Sequence, residues 1–353
     1  MEHCVYIEIP VAPSFRRVVG EARLGEACPL PFYLAAEEWV AARLERLTGG
    51  EPAFFLWQVP PTVIVGRNQL LDSEVDMDYC RRSRIAVWRR KSGGGAVYAD
   101  LDNVMMSYVA ANAPGSDVPT TFSRYTAAVA AMLRSLGIAE AEAGGRNDVL
   151  IGGCKVSGNA FYHTPHCSIV HGTMLVAADV ATMARALTPP PGKLRSKGVA
   201  SVPARVTTLR RHIPGITVDG FIAHARRTLC GDRIARLTAA DVAEIQTIMQ
   251  EYMRPEFLTG RNPRATAARH ARVEGVGEFD IAIEMNHGVI ADVRLAGDFF
   301  VLGDIDAEIV GRLRGRPLEP EALALALTGV DASRVIHGLT TPRLIALLTA
   351  SEI

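Results

Sequence analysis

No surplus of either charge runs through this chain. Its 353 residues hold 38 lysines and arginines against 38 aspartates and glutamates, so there is no overall field to gather nucleic acid or an anionic membrane, and any anion must be recognised locally. Paired cysteines are also lacking. The six that occur (Cys4, Cys28, Cys80, Cys154, Cys167 and Cys230) lie far apart with no C-x-x-C motif, a scatter that fits reduced thiols rather than disulfides or a structural zinc site. No uninterrupted apolar run reaches membrane-spanning length. The opening MEHCVYIEIPVAPSF has glutamates and prolines where a secretory leader has a basic stretch and then an apolar one, so a soluble, cytoplasmic protein without a membrane partner is expected. Neither an internal repeat nor a low-complexity tract occurs, which argues against a repeat architecture.

What the chain does contain divides into two parts. A first helix is expected over residues 34–47, where Leu34, Trp39, Val40, Leu44 and Leu47 share a face, and TGG stops it. AFFLWQV and TVIVGRNQ flank Pro60-Pro61 and read as two strands joined across a proline turn, with Arg67 just beyond a strand end. The segment 83–110 reads as strand, glycine loop, strand. A helix over 125–136 closes at Gly137. From Gly144 onward short apolar runs alternate with glycines and asparagines, as strands with functional turns do, and a proline-led basic loop, TPPPGKLRSKGVASVPARVTTL, follows. A helical pattern resumes over 241–253, GEFDIAIEMNHGVIADVRLAGDFF reads as a hairpin turning at Asn286-His287-Gly288, and 318–327 and 341–348 look helical. Length and composition together predict a large glycine-loop domain, 1–238, and a small hairpin-plus-helix module, 239–353.

Three segments concentrate the residue types that anions need: Arg89-Arg90 with Gly93-Gly94-Gly95, GRND with GGCKVSGNA, and KLRSKG. Bare glycine amides can converge on phosphate oxygens while guanidinium and ammonium groups offset the charge. Lys155 lacks the G-x-x-x-x-G that precedes a Walker lysine, and no G-x-G-x-x-G is found there. A triple glycine by itself leaves a plain tight loop and a binding loop both open. Asn147-Asp148 can likewise be a turn cap, and KLRSKG a solvated basic loop. His163, His166, Cys167 and His171 lie close in sequence but lack the second ligand pair of a zinc site.

In order and spacing, RRKSGGGAVYADLDN, GRND, KVSGNA, HGTML and KLRSKGVASVPARVTTL resemble the lipoate-protein ligase A family, from about Phe32 to Leu209, and GVGEFDIAIEMNHGVIADVRL resembles the strand pair of its accessory domain. The resemblance implies an α/β (α+β) fold: a biotin and lipoate ligase-type catalytic domain of mixed sheets flanked by helices, plus a small C-terminal α+β domain. It implies an enzyme that uses ATP and Mg²⁺ to turn lipoate into lipoyl-AMP and then acylates a lysine on a lipoyl-domain acceptor: a 2-oxoacid dehydrogenase E2, a glycine cleavage H protein or a specialised carrier.

Residue by residue, the resemblance makes Lys155 the catalytic cation between lipoyl carbonyl and α-phosphate. It puts Arg90, Gly93, Gly94, Gly95, Ala96, Val97, Tyr98, Asn147, Asp148 and Lys197 on ATP or the adenylate, with Lys193 beside Lys197 and Asp148 as a Mg²⁺ ligand. Arg67, Lys155, Ser157, Gly158, His171 and Gly172 fall at lipoate, and Trp39, Trp57 or Trp88 would wall its apolar slot. Ala99, Val170 and Tyr33 stand where the family commonly has histidine, histidine and asparagine, departures that bear on the acyl substrate and the acceptor. Cys154 beside Lys155 does not match the cysteine placements of the related octanoyltransferases. Two other readings remain open: an amidotransferase fed a pre-activated acyl group, and a non-catalytic lipoate or nucleotide sensor.

Overall fold

The computed structural model describes residues 4–10, 29–112, 118–144, 147–188, 205–259 and 267–350. Its centre is an eight-stranded sheet in the order β11-β1-β2-β6-β10-β9-β8-β7. These strands are β1 (Val5–Glu8), β2 (Ala53–Trp57), β6 (Asn103–Ala111), β7 (Ala141–Gly144), β8 (Asp148–Ile151), β9 (Cys154–His163), β10 (Cys167–Leu175) and β11 (Ile234–Arg236). β1 pairs in parallel with β2 and β11, and the other neighbours run antiparallel.

Of the central strands, β2 (AFFLW) and β6 (NVMMSYVAA) are mostly apolar because helices cover both faces. Val104 and Met106 of β6 join Phe54 on one face, with the helices Val118–Ser135 and Val218–Cys230. Met105 and Val109 join Ala53, Phe55 and Trp57 on the other, with the helices Leu30–Ala42 and Ala239–Tyr252. Alternate side chains thus fill two separate cores, and neither face keeps the polar alternation of a solvated sheet.

Three local features differ from the sequence reading. The first helix begins earlier, at Leu30 with Pro31 in its first turn, and is interrupted at Arg43 (φ −128°) before a short helix Leu44–Thr48 ends on Gly49 in the left-handed region (φ 67°). The two strands around Pro60-Pro61 do not pair with each other. β2 belongs to the large sheet, whereas β3 (Thr62–Val65) lies in a small one, parallel to β4 (Ala86–Arg89) and antiparallel to β5 (Val97–Ala99). Neither proline has an N–H for a ladder, so the pair carries the chain from sheet to sheet instead of closing a hairpin. The helix Val218–Cys230 was not anticipated; Thr217 caps it by accepting from Gly220 N. The helix Ala239–Tyr252 opens with a capping box between Thr238 and Asp241 and sets Val242, Ile245 and Met249 in the same core as Trp39. Trp39 Nε1 donates to Glu244 Oε2 at 2.8 Å.

Past residue 266, β12 (Ala267–Val273), β13 (Gly277–Asn286) and β14 (Val289–Asp298) form an antiparallel sheet. Its hairpin turns at His287 and Gly288, both at positive φ (50° and 81°), as a two-residue turn matched to strand twist requires. Phe279, Ile281 and Ile283 pack against Leu313, Leu323, Leu344 and Leu348 from the helices beyond. The end of β14 rests on the large part: Gly297 N donates to Asn68 O at 2.6 Å, Gly94 N to Phe299 O at 3.2 Å, and Phe300 stacks on Phe161 with ring centres 4.9 Å apart. No helix among the described residues is long and apolar enough to cross a membrane.

Phe279 is fully buried and stacks on Phe299 at 4.5 Å. Phe279→Ala is expected to cost about 3–5 kcal/mol, read as a lower denaturant midpoint for the transition that reports this sheet.

Candidate functional site

A cavity of about 270 Å³ lies where the glycine loop, β9, β10 and the β12–β13 turn meet. One end is apolar, walled by Leu34, Trp57, Ile64, Val97 and Met105. Of the three candidate tryptophans, Trp57 is the one among these lining residues, and Tyr33 stacks on it at 4.6 Å with the rings 12° from parallel. The other end is polar, with Asn147, Lys155, Asn159 and Arg205.

The polar end is organised by one carboxylate. Asp148 on β8 is buried, its Oδ1 lies 2.7 Å from Lys155 Nζ and its Oδ2 2.8 Å from Arg205. Burial alone would raise the pKa of this carboxyl, but the two cations outweigh it and hold the group below the ordinary aspartate value. Arg205 was not singled out from sequence; it arrives because Val206 bridges in parallel to Lys155 and Thr207 N donates to Lys155 O at 2.8 Å, adding this segment to the β9 edge. Gly158 leaves room for the lysine: a Cβ there would lie 2.3 Å from Lys155 Nζ. At Gly172 a Cβ would meet Asn159 Oδ1 at 1.9 Å. Asn147 and Asn159 lock the two strands together, each side-chain amide donating to the other's carbonyl, at 3.0 and 3.1 Å.

The glycine loop divides its labour. Gly94, Gly95, Ala96 and Val97 line the cavity, with Gly94 at φ 86°. Gly93 faces elsewhere: a Cβ on it would lie 2.3 Å from Phe299 O, so its bareness admits the end of β14. Tyr98 points into the small-sheet core, and burial, then Asp100, push its phenol up. Arg90 lines the cavity, yet it also holds the loop in shape, donating to Ile64 O, Gly93 O, Gly95 O and Ser92 Oγ at 2.7–3.0 Å. Desolvation lowers its pKa to about 10, which leaves it charged at neutral pH. Arg89 donates to the carbonyls of Gly66, Arg67 and Gln69.

The other expected site residues separate. Gly158, His171 and Gly172 line the cavity. Ser157 is buried beside it, with Oγ 3.3 Å from Asn159 Oδ1. Arg67 is exposed and is not among the lining residues. Lys193 and Lys197 lie outside the described residues. Among the described residues no group of three or more His, Cys, Asp or Glu side chains is placed to hold a metal.

Sequence reasoning missed three buried groups behind the cavity wall: Glu37, Ser92 and Ser107. His171 Nδ1 lies 2.7 Å from Glu37 Oε2 and its Nε2 lies 2.6 Å from Ser92 Oγ; Ser107 Oγ donates to Glu37 Oε1 at 2.6 Å and accepts from Trp57 Nε1 at 2.8 Å. The sequence signal for Glu37 is a carboxylate within the apolar stretch LPFYLAAEEWV, where a charge persists only if partners await it. The small C-terminal sheet also reaches the cavity, through Val276, Gly277 and the ion pair Arg272–Glu278 (3.0 Å).

Comparison with known proteins places the chain among related sequences. The profile described as the lipoyl protein ligase A/B catalytic domain matches residues 30–229, and that of the bacterial lipoate protein ligase C-terminus matches 262–348. The lipoate-protein ligase LplJ of Bacillus subtilis is 32% identical over 87% of this chain and 93% of its own length. Lipoate–protein ligase 1 of Staphylococcus aureus is 31% identical over 90% and 95%. Among solved structures, LipL1 of P. falciparum in complex with lipoate superposes with a TM-score of 0.74 at 18% identity, covering 98% of both chains.

Two predictions follow from this geometry. Because the Asp148 carboxyl is depressed, its stabilisation is whole above the ordinary aspartate value of about 3.9 and is lost as pH falls through its lower folded-state value. Asp148→Asn is expected to be less stable at neutral pH and to show a shallower loss of stability below about pH 4, measured by urea unfolding across pH. Gly93→Ala is expected to loosen the contact with Phe299 and make the C-terminal sheet more readily released by limited proteolysis, with the large sheet intact.

Proposed function

The chain belongs to the lipoate-protein ligase family, and from that premise we propose that it joins lipoate to protein in two half-reactions. Its catalytic part has the biotin and lipoate ligase-type fold, with a C-terminal α+β part, and it is a ligase. In the first half-reaction a lipoate carboxylate oxygen attacks the α-phosphorus of ATP. The bond to pyrophosphate breaks, and lipoyl-AMP forms. In the second, the uncharged ε-amine of an acceptor lysine attacks the acyl carbonyl, AMP leaves with the bonding pair, and the amine sheds its proton.

The observation that supports this reading is that Lys155 lines the same cavity as the bare glycine loop and the apolar slot. Carboxylate and triphosphate repel, so the site needs positive charge where they meet, in surroundings that screen it little. Lys155 and Arg205 supply two cations against the single charge of Asp148. An ammonium on a flexible stem can follow an oxygen from substrate to intermediate. The dithiolane tail lies along Leu34, Trp57 and Met105, and the nucleotide follows Gly94–Val97.

Mg²⁺ belongs to the same proposal. As a hard cation it takes oxygen ligands and is usually held by one or two carboxylates plus substrate phosphates. Asn147 lines the cavity, while both oxygens of Asp148 beside it are taken by Lys155 and Arg205, so the protein offers few free oxygen ligands and the metal would lean on substrate phosphates, whose charge it would offset when bound. The acceptor is a lipoyl domain of the E2, H-protein or specialised-carrier class, and the location is the cytoplasm. We place the boundary between the two parts after Thr259, because the helix Ala239–Tyr252 shares its core with Trp39.

The test is pyrophosphate release on mixing protein, lipoate, ATP and Mg²⁺, followed by mass spectrometry of a lipoyl domain. Lipoate-dependent pyrophosphate and a lysine carrying the lipoyl mass are expected. Consumption of preformed lipoyl-AMP without any ATP-dependent pyrophosphate would replace the ligase with a transferase, and binding without a modified lysine would leave a sensor. Lys155→Ala is expected to reduce pyrophosphate release by at least about a hundredfold, with an unchanged far-ultraviolet dichroism spectrum.

A further inference from the structure

Behind the cavity a line of buried hydrogen bonds runs from Trp57 on the apolar wall to Arg90 at the glycine loop. An indole N–H and a guanidinium N–H only donate, and an ionised carboxylate only accepts. Trp57 Nε1 donates to Ser107 Oγ at 2.8 Å, so the Ser107 proton goes to Glu37 Oε1 at 2.6 Å. From the other side Arg90 Nε donates to Ser92 Oγ at 2.8 Å, and Ser92 Oγ lies 2.6 Å from His171 Nε2, whose Nδ1 lies 2.7 Å from Glu37 Oε2; with the ring singly protonated at Nδ1, the Ser92 proton goes to Nε2 and Nδ1–H goes to Glu37. With His171 as the neutral Nδ1–H tautomer, each intermediate group donates once and accepts once.

The two arms converge on Glu37. Of the six groups it is the one that accepts without donating, so both arms can end there with every proton placed. Ser92, Ser107 and Glu37 are each at most 3% exposed, and His171 is 7% exposed, which leaves no water to replace a lost partner. The outer ends are cavity residues of different kinds. Trp57 walls the apolar slot, while Arg90 ties down the loop carbonyls of Gly93 and Gly95.

We propose that Glu37 is a positioning residue that holds the acyl wall and the nucleotide loop in register, one through Ser107 and Trp57, the other through His171, Ser92 and Arg90. This rests on the reading of the cavity as the lipoate and ATP site. Glu37→Gln conserves size but puts an amide N–H₂ against either Ser107 or His171. One arm then loses its acceptor: the Ser107 proton is displaced, or the imidazole is driven to the Nε2–H tautomer and the Ser92 proton is stranded.

The experiment is nitrogen-15 NMR of the full chain together with steady-state kinetics, for the wild type and for Glu37→Gln, Ser107→Ala and Ser92→Ala. Wild-type His171 is expected to show the signature of a neutral ring protonated at Nδ1. Ser107→Ala is expected to shift the Trp57 indole resonance and raise KM for lipoate about tenfold with KM for ATP changed by less than about twofold. Ser92→Ala should do the reverse, shifting His171 and raising KM for ATP, and Glu37→Gln should move the Trp57 or His171 resonance and lower kcat. The serine variants each remove one hydroxyl and decide the matter if Glu37→Gln does not fold. An unmoved Trp57 indole in Ser107→Ala, or serine variants that change both KM values alike or only the melting temperature, would overturn the proposal. Absence of pyrophosphate release by the wild type would defeat the ligase reading instead, and the register proposal would then stand or fall on the NMR shifts alone.

Discussion

One buried negative charge holds two positive ones at the edge of a cavity. Burial raises the pKa of the Asp148 carboxyl and the Lys155 and Arg205 charges more than offset it, while Asp148 in turn holds both cations within 2.8 Å. The pairing converts two long, entropically free cations into fixed features of the wall. It also ties together three stretches far apart in the chain: β8, β9 and the segment at 205–207, which joins the β9 edge through backbone bonds. The polar end thus keeps two cations against the one carboxylate of Asp148, while Arg272 and Glu278 pair with each other where the C-terminal sheet reaches the cavity.

Backbone proximity is the second constraint. The glycine loop is squeezed from two sides, by Gly66, where a Cβ would meet Gly94 O at 2.0 Å, and by Phe299 O against Gly93. Side chains at either glycine would push the loop off the cavity. Arg89 and Arg90 make the arrangement durable by donating to the main-chain carbonyls of Gly66, Gln69, Ile64 and Gly93. The two arginines of the motif therefore act at least as much on the protein's own main chain as on anything bound to it. Both parts of the chain contribute to the cavity, and the end of β14 touches the loop that lines it.

Much of this was legible because it is written in short segments. Arg90, Gly94 and Gly95 are neighbours in sequence and line one cavity with Lys155, whereas Gly93 turns to Phe299 and Arg89 to main-chain carbonyls. Glu37, Ser107 and Arg205 could not be found that way, since each is unremarkable locally: the first two meet only when β6, β10 and the first helix come together, and Arg205 only when its segment joins the β9 edge. The two strands around Pro60-Pro61 were legible, but their parting into different sheets was not, since two β-rich segments around a turn look alike whether they pair or part. The helix Val218–Cys230 buries just Phe221, Ala225, Leu229 and Cys230 among charged neighbours, a stripe narrow enough to escape notice. In contrast, Asn286-His287-Gly288 announced its hairpin because few other turns tolerate two successive residues at positive φ.

The pairing of β1 with β11 has a consequence for how the molecule comes into being. Tyr6 is in register with Ile234, so the edge of the large sheet is completed by partners more than two hundred residues apart. A chain emerging from the ribosome has made β1 long before β11 exists, and such distant closure is slow and leaves a strand edge open in the meantime. β2, whose Ala53 and Phe54 meet Val5 and Tyr6, is available far earlier and shields one side of that edge. The nascent protein therefore waits with half a clasp fastened, and the stretch around 234–236 is where synthesis turns a tolerant intermediate into a locked one.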